Sequence, residues 1–267
     1  MTAAALTDIE ALREIISVRP LGLFSDIDGT LAPIVSRPDD ALVTPKCREL
    51  LGRLLDCGVR VGLITGRTAE MARRMTGLDR VVYAADHGMT LWMDGVAEMP
   101  EAVAGYVALA GAVARELAGI NAAGVTVEHT GPNVAVHYRR AANEVAARVG
   151  IIEAIAASPS ARSFLVREGR KLFELRPPLP INKGTALEGL VRRLGIQAIL
   201  CLGDDQTDVD MFAAVARLRD EGLRGANIAV DSEEATASVR DAADYTVEGV
   251  PGIEWLLAEL VRVLDAR

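Results

Sequence analysis

Leu21-Gly-Leu-Phe-Ser-Asp26-Ile-Asp28-Gly29-Thr30-Leu31 joins a short apolar run to two aspartates two residues apart, followed by a glycine. The run 21–24 reads as a buried strand. In a parallel sheet, ligands sit beyond the carboxyl ends of strands, so both aspartates project into the crevice where chemistry is done. Two carboxylates at this spacing can divide labour: one attacks a phosphorus while the other handles protons. A calcium-binding EF-hand would need Asp or Asn, then Gly, then a closing Glu at positions that here hold Thr30, Leu31 and Arg37. That excludes a calcium loop and leaves a solvated turn as the plain alternative.

Outward from this stretch, helix and strand signals alternate. Thr7-x-x-Glu10 has the form of a capping box opening a short helix to about residue 17. Thr44-Pro45 starts a second helix, which ends near Gly58. Residues 59–64 form an apolar run of the kind covered on both faces, followed by a helix over 68–75 and a strand over 81–84. This rhythm predicts an α/β fold with a parallel sheet. Between 101 and 175 the order becomes α-β-β-α-β-β, with the last two strands turning around Glu168-Gly169, which predicts a small α+β module. Arg176-Pro-Pro-Leu-Pro180 ends it as a hinge, after which strand–helix alternation returns. The expected organisation is one α/β core, 1–97 with 177–267, interrupted by an inserted module, 98–176.

The chain has 267 residues, half of them hydrophobic, which is ample for a buried core. Its net charge of −8 argues against nucleic acid or an anionic membrane as a general partner, while leaving room for a phosphate met by a few cations or a metal. Cys47, Cys57 and Cys201 are scattered and odd in number, so neither a disulfide framework nor a zinc site is expected. The first seventeen residues carry Asp8, Glu10 and Glu14 and lack a signal-peptide pattern. No stretch is long and apolar enough to span a membrane. The expectation is a soluble cytoplasmic protein.

Three further motifs add to the first. Gly203-Asp204-Asp205-Gln206-Thr207-Asp208-Val209-Asp210 follows another apolar strand and packs four carboxylates closely enough to require a cation. Hard oxygen ligands without His or Cys favour Mg2+. A helix dipole would account for Asp208 or Asp210, but less readily for Asp204 and Asp205. Thr65-Gly66-Arg67 follows the run 59–64 and offers a hydroxyl and backbone N–H groups to a phosphate. Lys183 opens a helix just beyond the hinge. Two carboxylates, a hydroxyl, an ammonium and a metal site together make a phosphoryl-transfer centre.

In their order, Asp26-x-Asp28-Gly-Thr30, Thr65, Lys183 and Gly203-Asp204-Asp205-x-x-Asp208 resemble the four motifs of the haloacid-dehalogenase-like (HAD) phosphatases. Asp26 to Ile34, Tyr83-Ala-Ala-Asp-His-Gly88, Val136-His-Tyr-Arg139 and Phe173-Glu-Leu-Arg-Pro177 further resemble the trehalose-6-phosphate phosphatase family. The resemblance implies a Rossmannoid parallel-sheet core with an inserted α+β cap of the C2 type. It implies Asp26 as nucleophile forming an aspartyl-phosphate, Asp28 as acid and base, Thr65 as phosphoryl ligand and Lys183 as charge partner. It implies Mg2+ held by Asp26, the main-chain carbonyl of Asp28 and Asp204, with Asp205 and Asp208 supporting. It maps the cap glutamates that read sugar hydroxyls onto Glu128 and Glu174.

Gly66, Arg67 and His87, the last lying after a core strand near the cap junction, join the expected substrate-binding set. The family often has Val-Glu-x-Lys on the first cap strand, where this chain has Val127-Glu128-His129-Thr130. Arg139, Arg167 or Lys171 are the candidates to supply the missing charge, and Arg139 is counted in the substrate-binding set. The substrate implied is a small sugar phosphate, trehalose 6-phosphate, with a trehalose-6-phosphate synthase as the pathway link. Two alternatives stay open: a HAD phosphatase for sucrose phosphate or a glycosyl-phosphoglycerate, and a catalytically silent sugar-phosphate-binding regulatory protein.

Overall fold

A computed structural model describes residues 3–35, 37, 40–120, 122–169, 171–232 and 236–266. It comprises two compact units, Met1–Glu98 with Ile181–Arg267, and Met99–Pro180.

The first unit opens with strand β1 (Ala4–Ala5), a single 3-10 turn and helix α1 (Arg13–Ile16). It continues through β2 (Leu21–Ser25), α2 (Pro45–Asp56), β3 (Arg60–Ile64), α3 (Ala69–Thr76), β4 (Val82–Ala85), β5 (Thr90–Met93) and β6 (Val96–Glu98). The second unit contains α4 (Glu101–Leu117), β7 (Thr126–Thr130), β8 (Asn133–His137), α5 (Glu144–Ala157), β9 (Leu165–Gly169) and β10 (Leu172–Arg176). The chain then rejoins the first unit with α6 (Lys183–Leu194), β11 (Ala198–Gly203), α7 (Val209–Asp220), β12 (Arg224–Asp231), α8 (Ala237–Ala242), β13 (Tyr245–Glu248) and α9 (Gly249–Asp265).

Among the described residues, the first unit holds a nine-stranded sheet in the order β1-β13-β12-β11-β2-β3-β4-β5-β6. Its pairs are parallel from β1 to β4 and antiparallel at β4-β5 and β5-β6. Alternate side chains of each strand face opposite layers. Leu23, Leu200 and Ile228 pack with Leu51 of α2 and Leu257 of α9, whereas Phe24, Cys201 and Ala229 pack with Leu190 of α6 and Phe212 of α7. β2 stands where the strand order turns back, with β3 and β4 on one side and β11 on the other. That position opens a crevice at the carboxyl end of β2.

The second unit is a four-stranded antiparallel sheet, β7-β8-β10-β9. Val134, Val136, Phe173 and Leu175 pack it against Val113 and Leu117 of α4 and Ile151 of α5. No described helix is long and apolar enough to cross a membrane.

Four local readings differ from the structure. The first helix is capped by Asp8, whose side chain accepts from Glu10 N–H, and begins as a 3-10 turn, so Thr7 makes no capping box. The β5–β6 hairpin was not expected, although Asp94-Gly95, both with positive φ, is the dipeptide that a tight two-residue turn favours. β13 was likewise not expected. Glu168 and Gly169 lie within β9 rather than in a turn, and Lys171 takes the left-handed backbone.

Candidate active site

The adjacent strands β11, β2, β3 and β4 all end on the same side of the parallel sheet, and each delivers one functional loop. β2 is buried throughout and runs straight into Asp26, whose N–H extends the ladder to Leu202 O at 3.1 Å. Gly29 then turns the chain with φ +86°, and its α-carbon lies so close to Asp204 that a methyl there would meet Oδ2 at 2.0 Å. Only glycine fits that approach. Thr30, buried, donates its hydroxyl to Asp204 Oδ1 at 2.8 Å and fixes the carboxylate from below.

Lys183 is the first residue of α6, where Asn182 and Thr185 form a reciprocal capping box. Its ammonium, 3% exposed, reaches Asp26 Oδ1 at 2.9 Å and Asp208 Oδ1 at 2.7 Å. Asp208 Oδ2 accepts the N–H groups of Asp204 (2.8 Å) and Asp205 (3.0 Å), so this buried side chain ties the loop after β11 to the lysine. Asp205 does different work from its neighbours: Oδ1 accepts from Thr207 N–H and hydroxyl at 2.8 and 2.7 Å, and from Asp208 N–H at 3.2 Å. The helix-start role expected of Asp208 thus falls to Asp205, and Asp208 turns inward.

Carboxylate oxygens of Asp26, Asp204 and Asp208 lie within 4.8 Å of one another. Burial pushes Asp26 well above the usual carboxylate range, despite the lowering effect of Lys183. Burial and the neighbouring Asp208 raise Asp204 to about 8. Burial likewise raises Asp208 to about 6, against the pull of Lys183. Burial alone would lower Lys183, but Asp208 and Asp26 more than reverse that and hold it charged. With all three ionised, the carboxylates exceed the one ammonium by two negative charges, all on hard oxygen. That donor set fits a small divalent cation such as Mg2+.

On the other side of β2, Thr65 is buried at the end of β3, and its hydroxyl accepts from Arg67 N–H at 3.1 Å. Arg67 clamps Asp28 with two bonds, Nε to Oδ2 at 2.9 Å and Nη2 to Oδ1 at 2.7 Å. The loop after β4 braces this turn: His87 N–H donates to Thr65 O at 2.8 Å and Asp86 N–H to Arg67 O at 2.9 Å. The His87 ring lies against Gly66. Asp86 is buried and accepts from the Thr90 hydroxyl at 2.8 Å; burial raises it to about 6.

Asp26, Asp28, Thr65, Gly66, Arg67, His87, Lys183, Asp204, Asp205 and Asp208 therefore share the first unit, and Glu128, Arg139 and Glu174 belong to the second. Glu128 Oε2 accepts from His137 Nε2 at 3.1 Å, and Glu174 Oε2 from Arg176 Nη2 at 2.5 Å. Arg139 is exposed just beyond β8. Of the candidates for the missing cap charge, Lys171 pairs with Glu144 of α5 at 2.6 Å. Thr30, His137 and Arg176 were not singled out as site residues. Thr30 stood inside the first motif, and the other two show only once strand register is known.

The sequence pattern of the trehalose-phosphatase family matches residues 24–251. A trehalose-phosphate phosphatase of Mycobacterium marinum is 36% identical over 231 residues, which cover 81% of this chain and 56% of that protein. An uncharacterized glycosyl hydrolase of Mycobacterium tuberculosis is 33% identical over 255 residues, covering 91% of this chain and 19% of that protein. The chain thus spans about half the length of the first relative and a fifth of the second. Among solved structures, the C-terminal domain of the C. albicans trehalose-6-phosphate phosphatase superposes with a TM-score of 0.78 at 20% identity, covering 98% of this chain and 99% of that one. A haloacid dehalogenase-like hydrolase from Bacteroides thetaiotaomicron gives a TM-score of 0.63 at 14% identity over 90% and 98% of the two chains. These likenesses establish the HAD-like hydrolase fold, and with 228 consecutive residues inside the family pattern, the chain belongs to the trehalose-phosphatase family.

Proposed function

We propose that this chain is a Mg2+-dependent phosphatase that hydrolyses trehalose 6-phosphate to trehalose and phosphate. The observation that carries the reading is the single ammonium of Lys183 bonded to both Asp26 and Asp208. It lies at the mouth of a parallel sheet, with Asp28 two residues from Asp26 and clamped by Arg67. Asp26, the carbonyl of Asp28 and Asp204 would hold the ion, with Asp205 and Asp208 in support. When bound, Mg2+ supplies charge neutralisation for a dianionic monoester.

Asp26 attacks phosphorus through a carboxylate oxygen as the bond to the sugar oxygen breaks, giving an aspartyl-phosphate. Asp28, once it carries a proton on an oxygen released from the Arg67 clamp, gives that proton to the departing sugar oxygen. As a carboxylate, Asp28 then takes a proton from water, whose oxygen attacks the same phosphorus and frees Asp26 and phosphate. Lys183 offsets charge on Asp26 and the phosphoryl group, while the Thr65 hydroxyl and nearby N–H groups hold the phosphoryl oxygens. Arg67 keeps Asp28 oriented. Glu128 and Glu174 accept from sugar hydroxyls.

Phosphate release measured over a panel of sugar phosphates tests the reading. Trehalose 6-phosphate should turn over fastest, only with Mg2+, and not at all in Asp26→Asn. A flat response to trehalose 6-phosphate, with sucrose phosphate or a glycosyl-phosphoglycerate hydrolysed instead, would reject the substrate, and full activity in Asp26→Asn would reject the nucleophile.

A further inference from the structure

We propose that the outer flank of the second unit, made of the free edge of β9 and an apolar stripe on α5, is a docking surface for a second copy of this chain. The two copies add β9 to β9 in antiparallel register about a two-fold axis, which lays α5 beside its counterpart.

Among the described residues, β9 is the end strand of its sheet and pairs only with β10. All five of its residues are exposed. Such an edge presents a row of unpaired N–H and C=O groups that another strand can take up. Arg148 of α5 reaches Glu168 of β9 through two bonds at 2.6 and 2.7 Å, and Lys171 donates to Glu144 of α5 at 2.6 Å. Those pairs hold α5 over β9, whereas α4 packs on β7 and β8. Helix and edge strand are thus the two layers of one flank. On α5, Ala147 and Ile151 carry the buried face. Val145, Val149, Ile152 and Ala156 follow one another at spacings of four, three and four, the period of a helix–helix seam. At about 100° per residue they fall within an arc of about 60°, turned roughly 150° from the buried face. Val145 is 75% exposed, Val149 48% and Ile152 40%. Arg148 adjoins this stripe and points down to Glu168, so the stripe looks out past β9. Val166 precedes Glu168 by two residues, shares its face of β9 and is 45% exposed.

Symmetry and area name the occupant. Antiparallel strand addition about a two-fold axis keeps both α5 helices on one side of the widened sheet. Running antiparallel, the two stripes match Val149 with Ile152 and Val145 with Ala156 of the second copy. A strand register centred on Val166 sets that residue against its own copy and Arg167 against Leu165, so like charges do not meet. With 14 residues, α5 is about 21 Å long, so a flank two layers tall projects roughly 400 Å² on each copy. Interdigitating side chains bury more than that projection, which brings the total toward the roughly 1,000 Å² of a small specific contact. The pairing is therefore reversible, with a dissociation constant on the order of micromolar.

Sedimentation equilibrium of the full chain from about 1 to about 200 µM should show monomer converting to dimer as concentration rises. Val149→Glu and Ile152→Glu, both at exposed positions, should each weaken association at least about tenfold, with circular-dichroism melting identifying folded variants. In a Cys57→Ser background, glutathione disulfide should link Val166→Cys chains into covalent dimers, because that residue faces its own copy across the axis. Val145→Cys, which faces Ala156 of the second copy, should link far less. Should either glutamate variant fail to fold, the linking pair still decides. A monomer at every concentration would overturn the proposal. So would a dimer that folded glutamate variants leave intact, or Val166→Cys linking no faster than Val145→Cys. A monomer that instead sediments with phosphatidylcholine vesicles would assign the stripe to a lipid surface and equally overturn it.

Discussion

Gly66 shows how one side chain constrains this site. A methyl on its α-carbon would stand 2.6 Å from both Cε1 and Nε2 of His87, so the constraint here is the packed ring rather than the backbone. His87 and Asp86 both take left-handed backbone, φ 58° and 51°, which costs non-glycine residues about 1–3 kcal/mol each. The expense is offset by the N–H groups they lend to Thr65 and Arg67 and by Thr90 on Asp86. His87 was expected as a substrate ligand, and its ring stands as a wedge against the Thr65-Gly66-Arg67 turn. Gly66→Ala should therefore displace either that turn or the ring, costing about 1–3 kcal/mol by overpacking and slowing turnover at least tenfold. Adding His87→Ala should relieve the clash, so the double variant loses less than the two single losses combined. Melting and kcat/KM across the four proteins measure the coupling, and additivity within about 0.5 kcal/mol would refute the wedge.

Among the elements, α6 has the most at stake in its first turn, because the helix begins at the lysine that bridges Asp26 and Asp208. Asn182 Oδ1 accepts from Thr185 N–H at 2.8 Å and Thr185 Oγ1 accepts from Asn182 N–H at 3.0 Å. Asn182→Ala removes the first of these, worth about 1 kcal/mol. The expected melting loss is about 2–4 °C, with Asn182→Asp recovering most of it because an acceptor oxygen remains. An unchanged melting point in Asn182→Ala would show that tertiary contacts alone hold this turn. The strands and helices around the site were legible because apolar runs there end abruptly in Asp26, Thr65 and Gly203-Asp204, a local pattern. Other features depend on partners distant in sequence. Trp92 packs under Arg73 at 4.1 Å, and its hairpin has no alternating pattern to announce it. Glu168-Gly169 has turn composition yet pairs with β10, and His137 meets Glu128 only through the β7–β8 register. The division of labour between Asp205 and Asp208 was likewise hidden, since both are acids at a helix start and only burial and the reach of Lys183 separate them.

At the scale of the whole molecule, a net charge of −8 includes a buried acidic cluster whose protonation is linked to folding. Asp204 near 8 and Asp208 near 6 both lie above the carboxylate range of an unfolded chain, with Asp26 raised in the same direction. The folded state therefore holds protons that the unfolded chain has already released. The part of that stability due to Asp208 and Asp204 is fully present below about pH 4 and is lost as pH rises through about 6 and 8. A divalent cation that binds the ionised cluster reverses this dependence, because it competes with those protons and stabilises only the folded form. At a hundredfold excess over its dissociation constant, such an ion adds about 2.7 kcal/mol, or roughly 5–10 °C in melting temperature for a chain of this size. Mg2+ should accordingly raise the melting point clearly at pH 8.5 and far less at pH 5.5, and Asp204→Asn should remove most of the gain. Differential scanning calorimetry with and without the ion at the two pH values checks this. An equal gain at both pH values, or a gain that survives Asp204→Asn, would place the ion away from this cluster.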